Sequence, residues 1–148
     1  MNNLKTFSVA QTKNLARLLY KEISKKRLKT KGALIIALSG DLGSGKTTFV
    51  QGFLRAAGIK KKITSPTFVL VKRFKNIYHI DCYRVQQAGE LIKLGLKEIF
   101  KNPQNIVLIE WAEKIKRILS KDAIWIKFKH GGKINERTII FKQYFRNI

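Results

Sequence analysis

Gly40-Asp41-Leu42-Gly43-Ser44-Gly45-Lys46-Thr47 is the segment on which the reading of this chain turns. It fills every fixed position of the pattern G-x-x-x-x-G-K-[ST]. Before it runs Leu34-Ile35-Ile36-Ala37-Leu38, a short apolar stretch suited to a buried strand. After it, Thr48 to Ala57 contains no proline and reads as a helix that closes at Gly58. Strand, glycine loop and helix together form the setting in which this motif cradles phosphates. The glycines let successive N–H groups point at one spot, and the helix N-terminus adds partial positive charge. Asp41, Leu42, Gly43, Ser44 and Gly45 are therefore expected around the phosphates. Lys46 brings a mobile cation to the β- and γ-phosphates, and the Thr47 hydroxyl is a ligand for Mg²⁺. The motif predicts a chain that binds a nucleoside triphosphate.

Composition sets the outer limits. At 148 residues and 45% apolar content, the chain has the size and hydrophobicity of one folded domain. A single cysteine, Cys82, excludes an internal disulfide and suits a reducing compartment. No run approaches the ~18 apolar residues of a membrane span. The N-terminus carries no signal-peptide core. A cytoplasmic location is expected. The charge is extreme, with 31 Lys and Arg against 9 Asp and Glu, net +22. Such a field attracts polyanions, RNA above all. AT-rich codon usage inflates lysine, isoleucine and asparagine together and explains the same excess. Both readings stand.

Along the chain, residues Thr6 to Val9 suggest a short edge strand. Thr12 to Lys25 shows the helical period at Leu15, Leu18, Leu19 and Ile23, with Thr12 as its cap. Phe68 to Phe74 and Ile77 to Tyr83 alternate around Lys75-Asn76 and predict a hairpin. Glu90 to Phe100 reads as one or two short helices interrupted at Gly95. Ile106 to Ile109 is an apolar strand ending at Glu110, and Ala112 to Leu119 is a short helix. Ala123 to Phe128 and Arg137 to Phe141 form a C-terminal β-hairpin around Gly131-Gly132. The expected fold is α/β: a single-domain P-loop NTPase over residues 1–148, with a mixed central sheet flanked by helices.

A phosphate loop also needs a carboxylate for the magnesium shell, at the C-terminal end of a neighbouring strand. Glu110, after four apolar residues, is preferred to Asp81, whose strand is less apolar. Ser65-Pro66-Thr67 presents two hydroxyls on a stiffened loop, which reads either as a plain turn or as a γ-phosphate sensor. His79 and Cys82 lack a second ligand pair, so a structural role is favoured over metal binding. No Asn-Lys-x-Asp run is present to read guanine, which favours adenine.

Assembled, these pieces resemble the TsaE (YjeE) ATPases of bacterial tRNA threonylcarbamoyladenosine synthesis. The matching segments are Gly40 to Phe49, Ser65-Pro66-Thr67-Phe68, Tyr78-His79-Ile80-Asp81-Cys82-Tyr83-Arg84 and Leu108-Ile109-Glu110-Trp111, in order and at the family spacing. The likeness runs from about Thr6 to Phe141. It implies a small α/β phosphate-loop fold that binds ATP and Mg²⁺ and hydrolyses ATP slowly alone. It also implies that the chain works with TsaB and TsaD, the latter transferring the threonylcarbamoyl group to tRNA. Carried over, Lys46, Thr47 and Thr48 hold phosphates and metal, and Glu110 is the magnesium-site carboxylate. Asp81 positions metal or water, Trp111 lies beside the site, and Thr12 borders the adenine pocket. The family's known members are less basic, and at Cys82 they often carry a larger apolar residue. Arg84 is a candidate arginine finger or a partner of Asp81. Two other readings stay open: a small-molecule kinase on the same fold, and an RNA-binding module with a vestigial phosphate loop.

Overall fold

Strand β2 (Leu34–Gly40) is apolar at consecutive positions because both its faces are covered. Leu34, Ile36 and Leu38 point to one side, into a core shared with helices α1 (Val9–Lys26) and α2 (Lys46–Ala56). Ala33, Ile35 and Ala37 face the other side, beneath the short helices α3 (Ala88–Ile92) and α4 (Leu96–Lys101) and a 3₁₀ helix at Ala112–Ile118. The computed structural model describes residues 2–26, 30–63 and 70–142.

Among the described residues, β2 lies within a seven-stranded sheet in the order β1-β7-β6-β2-β5-β4-β3. β5 (Ile106–Glu110) and β6 (Ile124–His130) flank β2 in parallel. β4 (Ile77–Asp81) runs parallel to β5 and antiparallel to β3 (Val71–Phe74). β6 and β7 (Arg137–Phe141) form the expected C-terminal hairpin, and β1 (Asn2–Thr6) closes that edge against β7. The sheet is therefore mixed, as strand–helix alternation in the first half and hairpins in the second predicted, and helices cover both faces. Among the described residues, no helix is long and apolar enough to cross a membrane.

Local chemistry moved several boundaries. The edge strand lies at Asn2–Thr6 rather than Thr6–Val9, because α1 starts early. Ser8 is its cap: the Ser8 hydroxyl oxygen accepts from the Gln11 N–H at 3.1 Å, while Gln11 Oε1 accepts from the Phe7 N–H at 2.7 Å. Thr12, expected as the cap, is instead buried on the helix, and its hydroxyl pairs with that of Thr6 at 2.8 Å. α2 begins at Lys46 rather than Thr48, so the lysine and both threonines belong to the first helical turn. Gly95, at φ +87°, separates α3 from α4 as expected. Ala112–Ile118 winds as a 3₁₀ helix kinked at Ile115. The predicted beginning of β3 at Phe68, and the Ser65-Pro66-Thr67 loop, lie outside the described residues.

Two close approaches can be tested. A Cβ on Gly52, within α2, would lie 2.6 Å from both the Cα and the carbonyl oxygen of Lys13 on α1. Helix propensity alone favours Gly→Ala by about 1 kcal/mol. Overpacking against backbone costs about 1–3 kcal/mol and wins, since neither helix can yield without disturbing the core. Gly52→Ala is expected to lower the urea midpoint; an unchanged or raised midpoint would show that the helices separate freely. Cys82 is fully buried, and burial pushes its thiol up to about 12. A thiol reagent at pH 8 should leave the native protein unmodified and label Cys82 only after unfolding.

Candidate nucleotide-binding site

The carboxyl ends of three parallel strands meet at one edge of the core. In register, Leu38 of β2 and Asp81 of β4 both lie beside Glu110 of β5. Beyond β2 the chain turns sharply into the glycine loop. Gly40 sits at φ +137°, and a Cβ there would come within 2.3 Å of the Phe128 carbonyl oxygen, so only glycine fits. Gly45, at φ +108°, ends the loop and opens α2 in a left-handed conformation, which leaves the first N–H groups of the helix facing the concavity. The loop is braced from β6 by a 3.0 Å contact between His130 Nε2 and the Leu42 carbonyl.

Within the loop Lys46 folds back. Its ammonium donates to the carbonyl oxygens of Gly40 at 2.5 Å and Asp41 at 2.9 Å, with the Ser44 hydroxyl at 3.5 Å. It also lies 4.1 Å from the centre of the Trp111 ring. Burial lowers its pKa, an effect opposed by the surrounding carboxylates of Glu110, Glu113, Asp81 and Asp41. Trp111 adopts φ 57°, an uncommon conformation for a bulky side chain, as the chain leaves β5. Such strain costs about 1–3 kcal/mol and marks positions held by their surroundings.

Glu110 stands opposite, only 2% exposed. Its Oε1 accepts from the Thr47 hydroxyl at 2.5 Å, and its Oε2 lies 2.8 Å from His79 Nε2. Asp81 Oδ1 accepts from the Tyr83 N–H at 2.9 Å. Hydroxyl and carboxylate oxygens in this arrangement suit Mg²⁺, which binds through one or two protein oxygens together with phosphates and water. Among the described residues there is no group of three or more His, Cys, Asp or Glu able to hold a metal by themselves. A hydroxyl and a carboxylate side by side fit a metal that arrives with a phosphate ligand.

Lys46, Thr47, Asp81, Glu110 and Trp111 line one pocket of about 380 Å³. Its wall includes Leu42, Gly43, Ser44, Gly45, Lys46, Thr47, Thr48, Asp81, Glu110 and Trp111, all named from the sequence. Asp41, also named there, does not line it and contributes its carbonyl to Lys46 instead. Thr12 also lines it, 3.9 Å from the position of a Cβ on Gly45. Arg84 lies on the same wall. The sequence reading missed Ser8, Val9, Leu70, Asn135 and Arg137, which also line the pocket. Nothing in the sequence marks Asn135 and Arg137, because the β6–β7 turn reaches the loop only through the sheet order. It also assigned His79 no place in the site. One signal was available: His79 and Asp81 alternate on β4 and so share the face of Glu110.

Strand order, glycine loop and paired oxygens define an α/β P-loop NTPase domain. The sequence model of the family described as "Threonylcarbamoyl adenosine biosynthesis protein TsaE" matches residues 6–139. This chain belongs to the TsaE family. Proteins named tRNA threonylcarbamoyladenosine biosynthesis protein TsaE from Bacillus subtilis and Haemophilus influenzae are 40% and 39% identical to it. Those alignments span 111 and 108 residues, 72% and 70% of this chain and 68% of each relative. The Rickettsia typhi protein of the same name is 37% identical over 127 residues, 82% of either chain. A crystal structure of Bacillus subtilis YdiB matches with a TM-score of 0.74 at 32% identity, covering 95% of this chain and 83% of that one.

Thr12 offers a test of the pocket wall. Its hydroxyl is engaged with Thr6, so its methyl group is what borders Gly45. Thr12→Val keeps the shape and leaves the Thr6 hydroxyl without its partner. It should cost about 1–3 kcal/mol in urea unfolding and change nucleotide affinity by no more than about threefold. A large affinity loss at unchanged stability would give the hydroxyl a direct role with the ligand.

Proposed function

We propose that this chain is a Mg²⁺-dependent ATPase that supports a TsaB–TsaD complex. Together they would form threonylcarbamoyladenosine next to the anticodon of tRNAs reading codons that start with A. The transfer of the threonylcarbamoyl group belongs to the partner, not to this chain. Family membership supports the pathway. The observation that carries the ATPase reading is the meeting of Thr47 and Glu110 at 2.5 Å, in the same pocket as Lys46.

Each residue then has a physical task. Lys46 exchanges the carbonyl oxygens of Gly40 and Asp41 for phosphate oxygens. That replaces neutral acceptors by charged ones, which form hydrogen bonds roughly twice as strong. The N–H groups of Gly43, Ser44, Gly45 and the first turn of α2, with Thr48, surround the phosphate chain. Thr47 and Glu110 present oxygens to the metal side, and Asp81 on the adjacent strand orients water there. Bound Mg²⁺ supplies charge neutralisation on the β- and γ-phosphate oxygens. The base and ribose lie toward Ser8, Val9, Thr12, Asn135 and Arg137, with adenine the fitting base.

Slow turnover alone follows from this arrangement. Lys46 is the one cation the loop itself contributes, while Arg84 and Arg137 belong to the pocket wall. An additional cation placed on the transferring phosphoryl group is worth roughly 10³–10⁵ in rate, about 4–7 kcal/mol of barrier. A partner that closes over the pocket and moves Arg84, or brings its own cation, would set the rate.

ATP turnover should be slow for the purified chain and rise when both partners are added. Lys46→Ala and Glu110→Ala, each checked for native fold by circular dichroism, should abolish hydrolysis in the assembled complex. Wild-type turnover in either variant would refute the assignment, and phosphate transfer to a metabolite instead of water would favour a kinase.

A further inference from the structure

His79 is a completely buried residue at a strand end otherwise given to phosphate and metal chemistry. On β4 it lies opposite Leu108 of β5, and Asp81, two residues on, lies opposite Glu110. The imidazole therefore reaches along the neighbouring strand to meet Glu110 from behind, 2.8 Å from Oε2. Thr47 holds the other oxygen from the front. A glutamate has a nearly free terminal torsion. With a donor on each oxygen, that torsion is locked and the plane of the carboxylate is set.

We propose that His79 is a positioning residue for the metal site: its Nε2–H donates to Glu110 Oε2 and so aims Oε1 at Thr47 and the magnesium shell. This rests on the nucleotide reading given above. The geometry also says where the proton sits. Nδ1 is buried without a hydrogen-bond partner among the described residues, so a proton placed there in exchange for the one on Nε2 would leave both nitrogens mismatched. Histidines that orient metal-site carboxylates act through such a bond, and losing an outer partner of this kind costs roughly 10–100-fold in metal affinity. A purely space-filling histidine would instead affect stability and leave metal dependence alone.

The test uses the full chain, a non-hydrolysable ATP analogue and titration calorimetry with and without Mg²⁺. His79→Leu fills the space and removes the donor. It should keep metal-free analogue affinity within about threefold of wild type while the gain in affinity on adding Mg²⁺ falls roughly 10–100-fold. His79→Gln places an amide N–H near the position of Nε2 and should restore most of that gain. Nitrogen-15 chemical shifts of His79 in the wild-type protein should show a proton on Nε2. A wild-type Mg²⁺ gain in His79→Leu, at any change of melting temperature, overturns the proposal while leaving the nucleotide reading intact. A proton found on Nδ1 alone also overturns it, and this measurement decides even if His79→Leu does not fold. If wild type binds the analogue but shows no Mg²⁺ gain, the Mg²⁺-site reading falls and this inference falls with it; if it binds no analogue at all, the nucleotide reading itself falls.

Discussion

The carboxylate of Glu110 is the group around which the functional end of this fold is organised. A buried carboxylate without hydrogen-bond donors is costly, so its surroundings must supply them. Here they come from two directions: a hydroxyl on α2 and an imidazole on β4. Those contacts join elements far apart in sequence, since Thr47 and Glu110 are 63 residues apart and His79 and Glu110 are 31 apart. The first turn of α2 cannot drift from the sheet without breaking the first contact. β4 and β5 cannot slip in register without breaking the second, because one residue of slip sends every side chain to the opposite face.

The apolar core holds this polar seam in place and pushes it to one end. Phe49 and Phe53 of α2 are fully buried between α1 and the sheet, and Phe49 meets Phe128 edge-on at 5.5 Å. That packing sets the height of α2 above β2, and so the curl of the glycine loop that joins them. Gly40 makes the same demand from below, where its backbone touches that of β6 at Phe128. Strain at Trp111 belongs to the same economy of space: the left-handed turn carries the indole from the end of β5 to the Lys46 ammonium.

The charge distribution sharpens the contrast between surface and site. Of 9 carboxylates in the chain, four (Asp41, Asp81, Glu110 and Glu113) act electrostatically on Lys46. Acidic residues are scarce overall, and these four surround a buried cation where a divalent ion is expected. Arg84 and Arg137 line the pocket, but other basic residues, such as Lys13, Arg55, Lys61 and Lys62, lie on exposed positions away from it. The two populations respond to different constraints. Carboxylates at the site offset the burial of Lys46, whereas exposed lysines interact with water, salt and any polyanion nearby.

Much was legible in the chain itself. The loop from Gly40 to Thr47, its flanking strand and helix, the hairpins and the break at Gly95 all appeared as local patterns, because turn chemistry and hydrophobic period act over a few residues. The preference for Glu110 over Asp81 came from the apolar run before it. The start of α1 was misplaced because Thr12 looked like a cap while Ser8 and Gln11 made the actual one. Ser-x-x-Gln was in the sequence and could have shown it. The roles of His79, Asn135 and Arg137 could not be read locally. They depend on which strands lie side by side and in what register, and that is settled by how β2, β5 and β6 bury both faces of one sheet. Local sequence determined the phosphate loop; only the packing of distant strands decided which side chains would complete the site around it.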